Sequence, residues 1–267
     1  MLFKFKNIIA RRPGRSIVDG ITMNPQLGKV DYNNCLKQHD DYLKILNEIG
    51  LDVYVIPADD RFPDSVFIED AAVLTDKFAL ITNPGAQSRN GEKTEIAAHV
   101  AQFYSPQHIH YIQHPGTLDG GDVMMVDNDF YVGLTERTNQ VAIDQMKEIF
   151  KPYGYNVIAV PVKEGLHLKS SVSYLEHNNL LITSDLVNNP LFDKFNKILV
   201  PDDEKYCANS IWLNDTVIVP TGYPKTLDLI KKLNMYNVVL CDTSEIRKLD
   251  GGLSCTSLRF KKPVIKC

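Results

Sequence analysis

A weakly repeated hairpin pattern is the sequence feature that most constrains the fold. The run SVFIEDAAVL (65–74) aligns with SIWLNDTVIV (210–219), and both combine a small residue, an apolar run and a polar position. The same form recurs in GDVMMVDNDFYV (121–132) and SVSYLEHNNLLI (171–182), and SCTSLRF (254–260) opens a fifth unit with a different turn. Five such hairpins predict a closed ring of β-β-α-β blades in the α/β class. An ordinary mixed α/β sheet is the alternative that the pattern leaves open.

Helical periodicity fills several of the gaps between these units. Apolar residues recur at helical spacing in four segments, 32–49, 92–103, 139–150 and 225–233. We expect Gly50 to end the first helix, and Thr138 or Asn139 to cap the third. The N-terminal run MLFKFKNIIARRPG (1–14) alternates apolar and basic residues, which predicts a first strand.

Composition indicates an ordinary globular protein. The chain has 267 residues, of which 44% are hydrophobic, and this is enough for a substantial core. No linker interrupts it, so we expect a single domain over 1–267. The net charge of −4 lacks the basic excess that favours nucleic acid. No segment approaches the roughly 20 apolar residues that span a membrane, so we expect a soluble, cytoplasmic protein.

The cysteines and histidines do not form a recognisable metal or disulfide motif. The cysteine count is odd and no C-x-x-C spacing occurs, so each cysteine is interpreted as a lone thiol. The histidines of HIHYIQH (108–114) have no second ligand pair at a standard spacing, so no metal site is predicted. No glycine-rich phosphate loop is present.

In a ring, the residues at the start of each blade converge on the axis. These are acids, one amide, one histidine and one cysteine: Asp64, Glu69, Asp70, Asp119, Asp122, His167, Asn209 and Cys255. A thiol needs a nearby cation or base to act as a nucleophile, and His167 can supply it. Asp119 would orient that imidazole, as in other triads. The alternatives are a packed cysteine and a structural histidine.

The charged residues suggest a ligand with two charged ends. Asp64, Glu69 and Asp70 would repel one another unless the ligand brings positive charge, and a carboxylate can accept two N–H groups of a guanidinium. Arg89 and Arg137 lie in loops and could clamp a carboxylate. Solvated acids and surface arginines are the alternatives. Together, the two sets would describe an arginine-like amino acid.

Seven motifs in order resemble the N(G),N(G)-dimethylarginine dimethylaminohydrolase family, especially its bacterial form. They are FPDSVFIED, NPGAQSRNGE, GTLDGGDVMMV, GLTERTN, LHLKSS, LEHNNLL and DGGLSCTSLRF. The resemblance implies the five-bladed α/β propeller called the pentein fold, with a central active-site cavity. It also implies hydrolysis of dimethylarginine or monomethylarginine to citrulline and an amine, through a covalent thiouronium on the cysteine. That reaction needs neither a metal nor an organic cofactor.

The same resemblance implies a role for each matching residue. The catalytic set is Cys255 as nucleophile, His167 as general acid and base, and Asp119 as its support. The substrate-binding set is Asp70 for the guanidinium, Asp64 for the α-amino group, Arg89 and Arg137 for the α-carboxylate, Glu69 without a defined contact, and Ile21 and Leu249 as lining residues. Residues 20–29 correspond to a mobile lid.

Two departures and three rival functions remain open. Bacterial members more often have glutamate where Asp119 stands, and Cys267 has no assigned role. An arginine deiminase and an amidinotransferase would use a similar catalytic set. A ribosome-associated factor of the same fold would use none. The sequence predicts a monomer or a homodimer and does not fix which of the two forms.

Overall fold

The computed structural model describes residues 4–261, so Cys267 lies outside the described residues. Its strands are β1 (Asn7–Arg11), β2 (Asp52–Ile56), β3 (Ala72–Leu74), β4 (Ala79–Ile81), β5 (Ile109–Tyr111), β6 (Val123–Val126), β7 (Asp129–Leu134), β8 (Asn156–Pro161), β9 (Val172–Tyr174), β10 (Asn179–Ile182), β11 (Asn196–Leu199), β12 (Ile211–Leu213), β13 (Thr216–Pro220), β14 (Asn237–Cys241) and β15 (Leu258–Phe260). Its α-helices are α1 (Tyr32–Glu48), α2 (Glu92–Val100), α3 (Gln140–Phe150), α4 (Pro224–Lys232) and α5 (Ser244–Arg247).

Five three-stranded sheets repeat one topology. Their strand orders are β15-β1-β2, β3-β4-β5, β6-β7-β8, β9-β10-β11 and β12-β13-β14, which we number as the first to the fifth sheet. In every sheet the middle strand pairs antiparallel with one neighbour and parallel with the other. The parallel pairs need a crossover connection. α1, α2, α3 and α4 supply it in four sheets, and a segment with one 3-10 turn (Pro190–Phe192) links β10 to β11.

Hydrophobic clusters join these sheets into a closed ring. One cluster joins the first sheet to the second and includes Ile9 and Ile81. Corresponding clusters join the second to the third, the third to the fourth and the fourth to the fifth. A further cluster joins the fifth sheet back to the first and includes Leu213 and Ile8. The predicted five-bladed α/β ring is therefore confirmed.

Two details of the predicted repeat are wrong. Residues 65–71 are not a strand: Phe67 and Asp70 donate their N–H groups to carbonyls three residues earlier, so these residues form turns. The hairpin begins at Ala72. The apolar and polar residues of the preceding turns alternate as in a strand, and this alternation caused the wrong prediction. The fifth unit is not a hairpin either, because β15 pairs antiparallel with the N-terminal strand β1.

The helix predictions are confirmed with small changes at the ends. Gly50 follows α1 with a φ of +89°, a left-handed conformation that suits glycine. Asn139, not Thr138, caps α3 by accepting the N–H of Ala142. The Thr138 hydroxyl instead donates to Asp122 at 2.6 Å. No helix in residues 4–261 is long and apolar enough to cross a membrane.

A 3-10 turn precedes the first-listed strand of each sheet, namely β3, β6, β9, β12 and β15. These turns cover 68–71, 120–122, 168–170, 202–208 and 254–256. The turn at 68–71 contacts those at 120–122 and 254–256, and the turn at 168–170 contacts those at 120–122 and 202–208. The ring thereby brings together short segments that are far apart in the sequence, and these segments carry most of the candidate residues.

Candidate active site

A cavity of about 450 Å³ lies beside these turns. Nine of the predicted site residues line it: Ile21, Asp64, Asp70, Arg89, Asp119, Arg137, His167, Leu249 and Cys255. Glu69 does not, and Asp122 and Asn209 also lie outside its lining. Thiol, imidazole, carboxylate and guanidinium groups from separate blades therefore share one space.

Cys255 lies in a tight turn at the end of a glycine pair. Its N–H donates to the Gly252 carbonyl at 3.2 Å, and the Gly252 N–H points at Sγ from 3.4 Å. Burial, together with the charges of Glu69 and Asp70, raises the pKa of the Cys255 thiol to about 12, although the Gly252 N–H and Lys169 oppose this rise. The thiol of the free protein is therefore protonated, and it needs additional positive charge to ionise.

His167 immediately precedes the 3-10 turn at 168–170, and its ring is held by acids. Nε2 lies 3.0 Å from Asp119 Oδ2 and 3.9 Å from Asp70 Oδ1. Burial alone would lower the pKa of His167, but the charge of Asp70 and the hydrogen bond to Asp119 outweigh it and raise the pKa to about 9. The imidazole is therefore protonated at neutral pH and can act as a general acid.

The two acids of the LDGGD motif have different environments. Asp119 lines the cavity, and its Oδ1 accepts the N–H of Gly85 at 2.8 Å. Asp122 is fully buried, where Oδ1 accepts the Leu168 N–H at 2.8 Å and Oδ2 accepts the Thr138 hydroxyl. Asp119 thus contacts the imidazole directly, whereas Asp122 fixes the backbone beside it.

Close packing at Gly121 brings Asp70 against the imidazole. A Cβ at this position would lie 2.7 Å from His167 Nδ1 and 2.8 Å from Asp70 Oδ1. The Gly121 N–H donates to Asp70 Oδ1 at 2.9 Å. Only glycine allows the backbone to approach both groups at this distance.

Arg89 and Arg137 differ in how many N–H groups of their guanidinium are free to bind a ligand. Arg89 is buried; its Nε and Nη2 donate to both oxygens of Glu92, Nη1 donates to Asp70 Oδ2 at 2.5 Å, and Nη2 also donates to the Phe67 carbonyl. Arg137 lines the same cavity, and its guanidinium has no hydrogen-bond or ion-pair partner among residues 4–261. Arg137 is therefore the freer of the two for an incoming carboxylate.

The predicted lid is tied down at two points. Asp64 Oδ1 accepts the Ile21 N–H at 3.0 Å. Asp250 accepts the Met23 N–H at 2.6 Å and the Asn24 side-chain amide at 2.5 Å. Burial raises the pKa of Asp64, although Arg89 opposes this, so a cation that reached it would favour its charged form.

Asp70, Asp119 and His167 could bind a cation. Within residues 4–261 they form a group whose oxygen and nitrogen atoms lie within 4.8 Å of one another. Such a set could ligate a metal ion, and it equally suits the planar fork of N–H donors in a guanidinium.

Sequence reasoning missed several residues that complete the cavity. Phe67 and Leu166 add apolar surface, and Asp250 anchors the lid. Glu92 had a readable signal, since it follows Arg89 by three residues, a spacing at which side chains meet on a helical turn. Leu166 had none, because a single leucine beside a histidine fits many structures.

Comparison with known proteins places the chain in a family. A family model described as "N,N dimethylarginine dimethylhydrolase, eukaryotic" matches residues 23–194. The N(G),N(G)-dimethylarginine dimethylaminohydrolase of Pseudomonas aeruginosa is 48% identical over 256 residues, which cover 96% of this chain and 100% of that protein. The chain belongs to the dimethylarginine dimethylaminohydrolase family. A dimethylarginine dimethylaminohydrolase of Streptomyces coelicolor is 35% identical, with 96% of this chain and 98% of that protein covered.

Solved structures extend the agreement to three dimensions. A dimethylarginine dimethylaminohydrolase from Pseudomonas aeruginosa, solved as a cysteine-to-serine mutant complexed with citrulline, has a TM-score of 0.94, with 97% of this chain and 100% of that chain covered at 48% identity. The N-terminal domain of a cyanobacterial arginine dihydrolase has a TM-score of 0.84 at 15% identity, covering 97% of this chain and 99% of its own. The second likeness extends to the fold alone. The family resemblance inferred from the seven motifs is confirmed.

Proposed function

We propose that this chain hydrolyses N(G),N(G)-dimethyl-L-arginine, and N(G)-monomethyl-L-arginine, to L-citrulline and dimethylamine or methylamine. The observation that carries the proposal is one cavity in which Cys255 and His167 meet Asp70 and Asp119 at one side and Arg137 at another. This arrangement matches a cationic guanidinium and an anionic carboxylate in the same ligand. Family membership and the citrulline complex of the Pseudomonas aeruginosa protein support the same substrate class.

Charge complementarity positions the substrate. Asp70 and Asp119 face the guanidinium, and the Asp64 carboxylate accepts a hydrogen bond from the α-amino group. Arg137 binds the α-carboxylate bidentately. Arg89 donates to the same carboxylate the N–H that is not used in its bonds to Glu92 and Asp70. Apolar surface from residues such as Leu166 and Phe67 accommodates the methyl groups.

Substrate charge activates the nucleophile. The bound guanidinium and the protonated His167 together favour the thiolate of Cys255, whose proton leaves to solvent. Sγ attacks the central guanidinium carbon and forms a carbon–sulfur bond. His167 then protonates the dimethylamine nitrogen as the carbon–nitrogen bond breaks, and a thiouronium remains on Cys255.

Hydrolysis of this adduct returns the protein to its starting state. The neutral His167 takes a proton from water, and the resulting hydroxide attacks the same carbon. The carbon–sulfur bond breaks, the added hydroxyl loses its remaining proton to solvent as citrulline departs, and the thiolate recovers its proton from solvent. Asp119 stabilises the imidazolium in both half-reactions through the 3.0 Å contact to Nε2.

Three rival functions make different products. An arginine deiminase would release ammonia from unmethylated arginine, and an amidinotransferase would need an amine acceptor to turn over. A ribosome-associated factor would turn over none of these compounds and would bind ribosomal subunits. The thiol, imidazole and carboxylates around one cavity favour hydrolysis over that last alternative.

A product assay separates these alternatives. The purified protein is incubated separately with dimethylarginine, monomethylarginine and arginine, and citrulline and the released amine are both quantified. We expect citrulline with an equal amount of dimethylamine or methylamine, and less product from arginine. Ammonia as the main product, or citrulline formed only in the presence of an amine acceptor, would contradict the proposal.

We propose further that the catalytic unit is one domain spanning 1–267 in the cytoplasm, as a monomer or a homodimer. Pairing of β1 with β15 supports one unit, because a sheet of the ring needs both ends of the chain. The cysteines Cys35, Cys207, Cys241 and Cys255 are free, which suits a reducing compartment.

A further inference from the structure

A second cavity lies behind the turn that carries Cys255. It has an empty volume of about 950 Å³ and is lined by the first strands of the blades, such as β6 and β12. Its lining includes Glu69, Lys169 and Ser254, and it shares no lining residue with the substrate cavity. We call it the rear channel, and the charged group formed by Glu69, Lys169 and Arg259 is named the rear cluster.

Glu69 is the centre of the rear cluster. Its side chain is buried, and Oε1 lies 2.6 Å from Lys169 Nζ and accepts a hydrogen bond from Arg259 Nη2. Burial opposes ionisation, but Lys169 and Arg259 hold the pKa of Glu69 below its usual range. One carboxylate thus faces two cations, and breaking such a buried set leaves uncompensated charge.

The rear cluster is bonded directly to the residue before the nucleophile. Ser254 Oγ donates to Glu69 Oε2 at 2.8 Å, and Arg259 Nη1 donates to the Ser254 carbonyl at 2.7 Å. The Ser254 N–H donates to Asn209 Oδ1 at 2.9 Å. Every hydrogen-bonding atom of Ser254 is therefore engaged by a residue that does not line the substrate cavity, and these bonds fix the position from which Cys255 extends.

The charges of the rear cluster also reach the thiol. Burial raises the pKa of Cys255 most, Glu69 raises it further, and Lys169 lowers it. The two members of the Glu69–Lys169 ion pair thus shift the pKa of the Cys255 thiol in opposite directions. Asp70 also raises this pKa and the Gly252 N–H lowers it, so Glu69 and Lys169 are two opposing contributions to how readily the thiolate forms.

We propose that Glu69, through its bond to Ser254, is a positioning residue for Cys255, and that Glu69 and Lys169 together balance the charge at its thiol from the rear channel. The inference rests on the proposed function, in which Cys255 is the nucleophile. It gives Glu69 a role that does not require contact with substrate, consistent with its position outside the substrate cavity.

Alkylation of Cys255 by iodoacetamide tests the charge balance without any turnover. The labelled peptide containing Cys255 is quantified by mass spectrometry at several pH values below the thiol's pKa, where the rate follows the thiolate fraction. We expect K169M to slow alkylation roughly threefold to tenfold and E69Q to accelerate it by a similar factor. The double variant E69Q/K169M should fall between them. The control K197M removes a lysine of β11 that pairs with Asp193 at 2.6 Å, and it should leave the alkylation rate of Cys255 unchanged.

The signs of these changes decide the matter. Equal rates in all variants, or shifts of the two single variants in the same direction, would overturn the proposal. E69Q leaves the half-buried cations Lys169 and Arg259 without their counter-ion, so thermal unfolding is measured for each variant. If E69Q does not fold, K169M and the double variant still give the comparison. Turnover is scored separately, so inactivity toward dimethylarginine would count against the proposed function while the alkylation rates still test this inference.

The positioning role has its own variant. S254A keeps every charge but removes the hydroxyl that bonds to Glu69 and Asn209. We expect kcat to fall about tenfold to a hundredfold, while KM and the alkylation rate change less than about twofold. An unchanged kcat would contradict positioning through Ser254.

Discussion

His167 Nε2 lies 3.0 Å from Asp119 Oδ2, and the two side chains come from different blades of the ring. The imidazole is protonated at neutral pH, because the charge of Asp70 and the hydrogen bond to Asp119 together outweigh the effect of burial on its pKa. The acid that the leaving amine needs is thus present before substrate binds. The thiol opposite it remains protonated until a cation arrives.

The pH profile of kcat/KM follows from these two groups. The pKa is about 9 for His167 and about 12 for Cys255, so below pH 9 both the thiol and the imidazole of the free protein are protonated. The reactive form, a thiolate with an imidazolium, has one proton fewer. We predict that log kcat/KM rises with pH to about 9 and then levels off. Steady-state kinetics from pH 6 to 10 measures it. A fall in kcat/KM between pH 7 and 9 would be inconsistent with this pair.

Replacing Asp119 by asparagine should move that profile. D119N removes a charge that raises the pKa of His167, so the plateau should begin about one pH unit lower. Loss of the orienting carboxylate should also lower kcat about 10²- to 10⁴-fold. The same pH series on the variant checks both effects. A plateau at an unchanged pH would show that Asp119 does not control the imidazole.

Removing the free guanidinium should separate binding from chemistry. R137A loses charge-assisted hydrogen bonds to the α-carboxylate, so KM should rise about 10- to 100-fold. Turnover of a methylated guanidine that lacks the carboxylate should be unaffected. R12A, which breaks an exposed pair with Asp40, is the control and should behave as wild type. Equal losses with both substrates would place Arg137 elsewhere in the mechanism.

The close approach at Gly121 predicts a sensitive position. G121A puts a methyl group 2.7 Å from His167 Nδ1, so we expect at least a hundredfold loss of kcat. G154A is the comparison, because Gly154 has a φ of +77° but no neighbour within 4 Å of a new Cβ. That variant should lose stability through backbone strain and keep its kcat. Chemical denaturation and kinetics on both variants distinguish the two effects.

Much of the fold could be predicted because hydrophobic periodicity is local. The run of apolar residues in α3 and the turn after α1 at Gly50 are read from a dozen neighbouring positions. The pairing of β1 with β15 could not be read in this way, since it joins the two ends of the chain. The misplaced hairpin at 65–74 shows the same limit, because consecutive turns can carry a strand-like alternation.

The candidate site shows the same difference between what local sequence predicts and what depends on distant contacts. Residue type and family motifs pointed to Cys255, His167 and Asp119, whose side chains share the substrate cavity. They did not predict that Glu69 and Asp70, which are adjacent in sequence, line two different cavities. Which way a buried carboxylate faces depends on distant partners such as Arg259, and no local pattern specifies them.

The most direct test of the mechanism is to identify the atom that attacks the guanidinium. The protein is mixed with dimethylarginine and quenched with acid during turnover, and its peptides are analysed by mass spectrometry. The account predicts an adduct with the mass of the substrate less dimethylamine on the peptide containing Cys255, and none in C255S. An adduct on another residue, or undiminished citrulline formation by C255S, would contradict it.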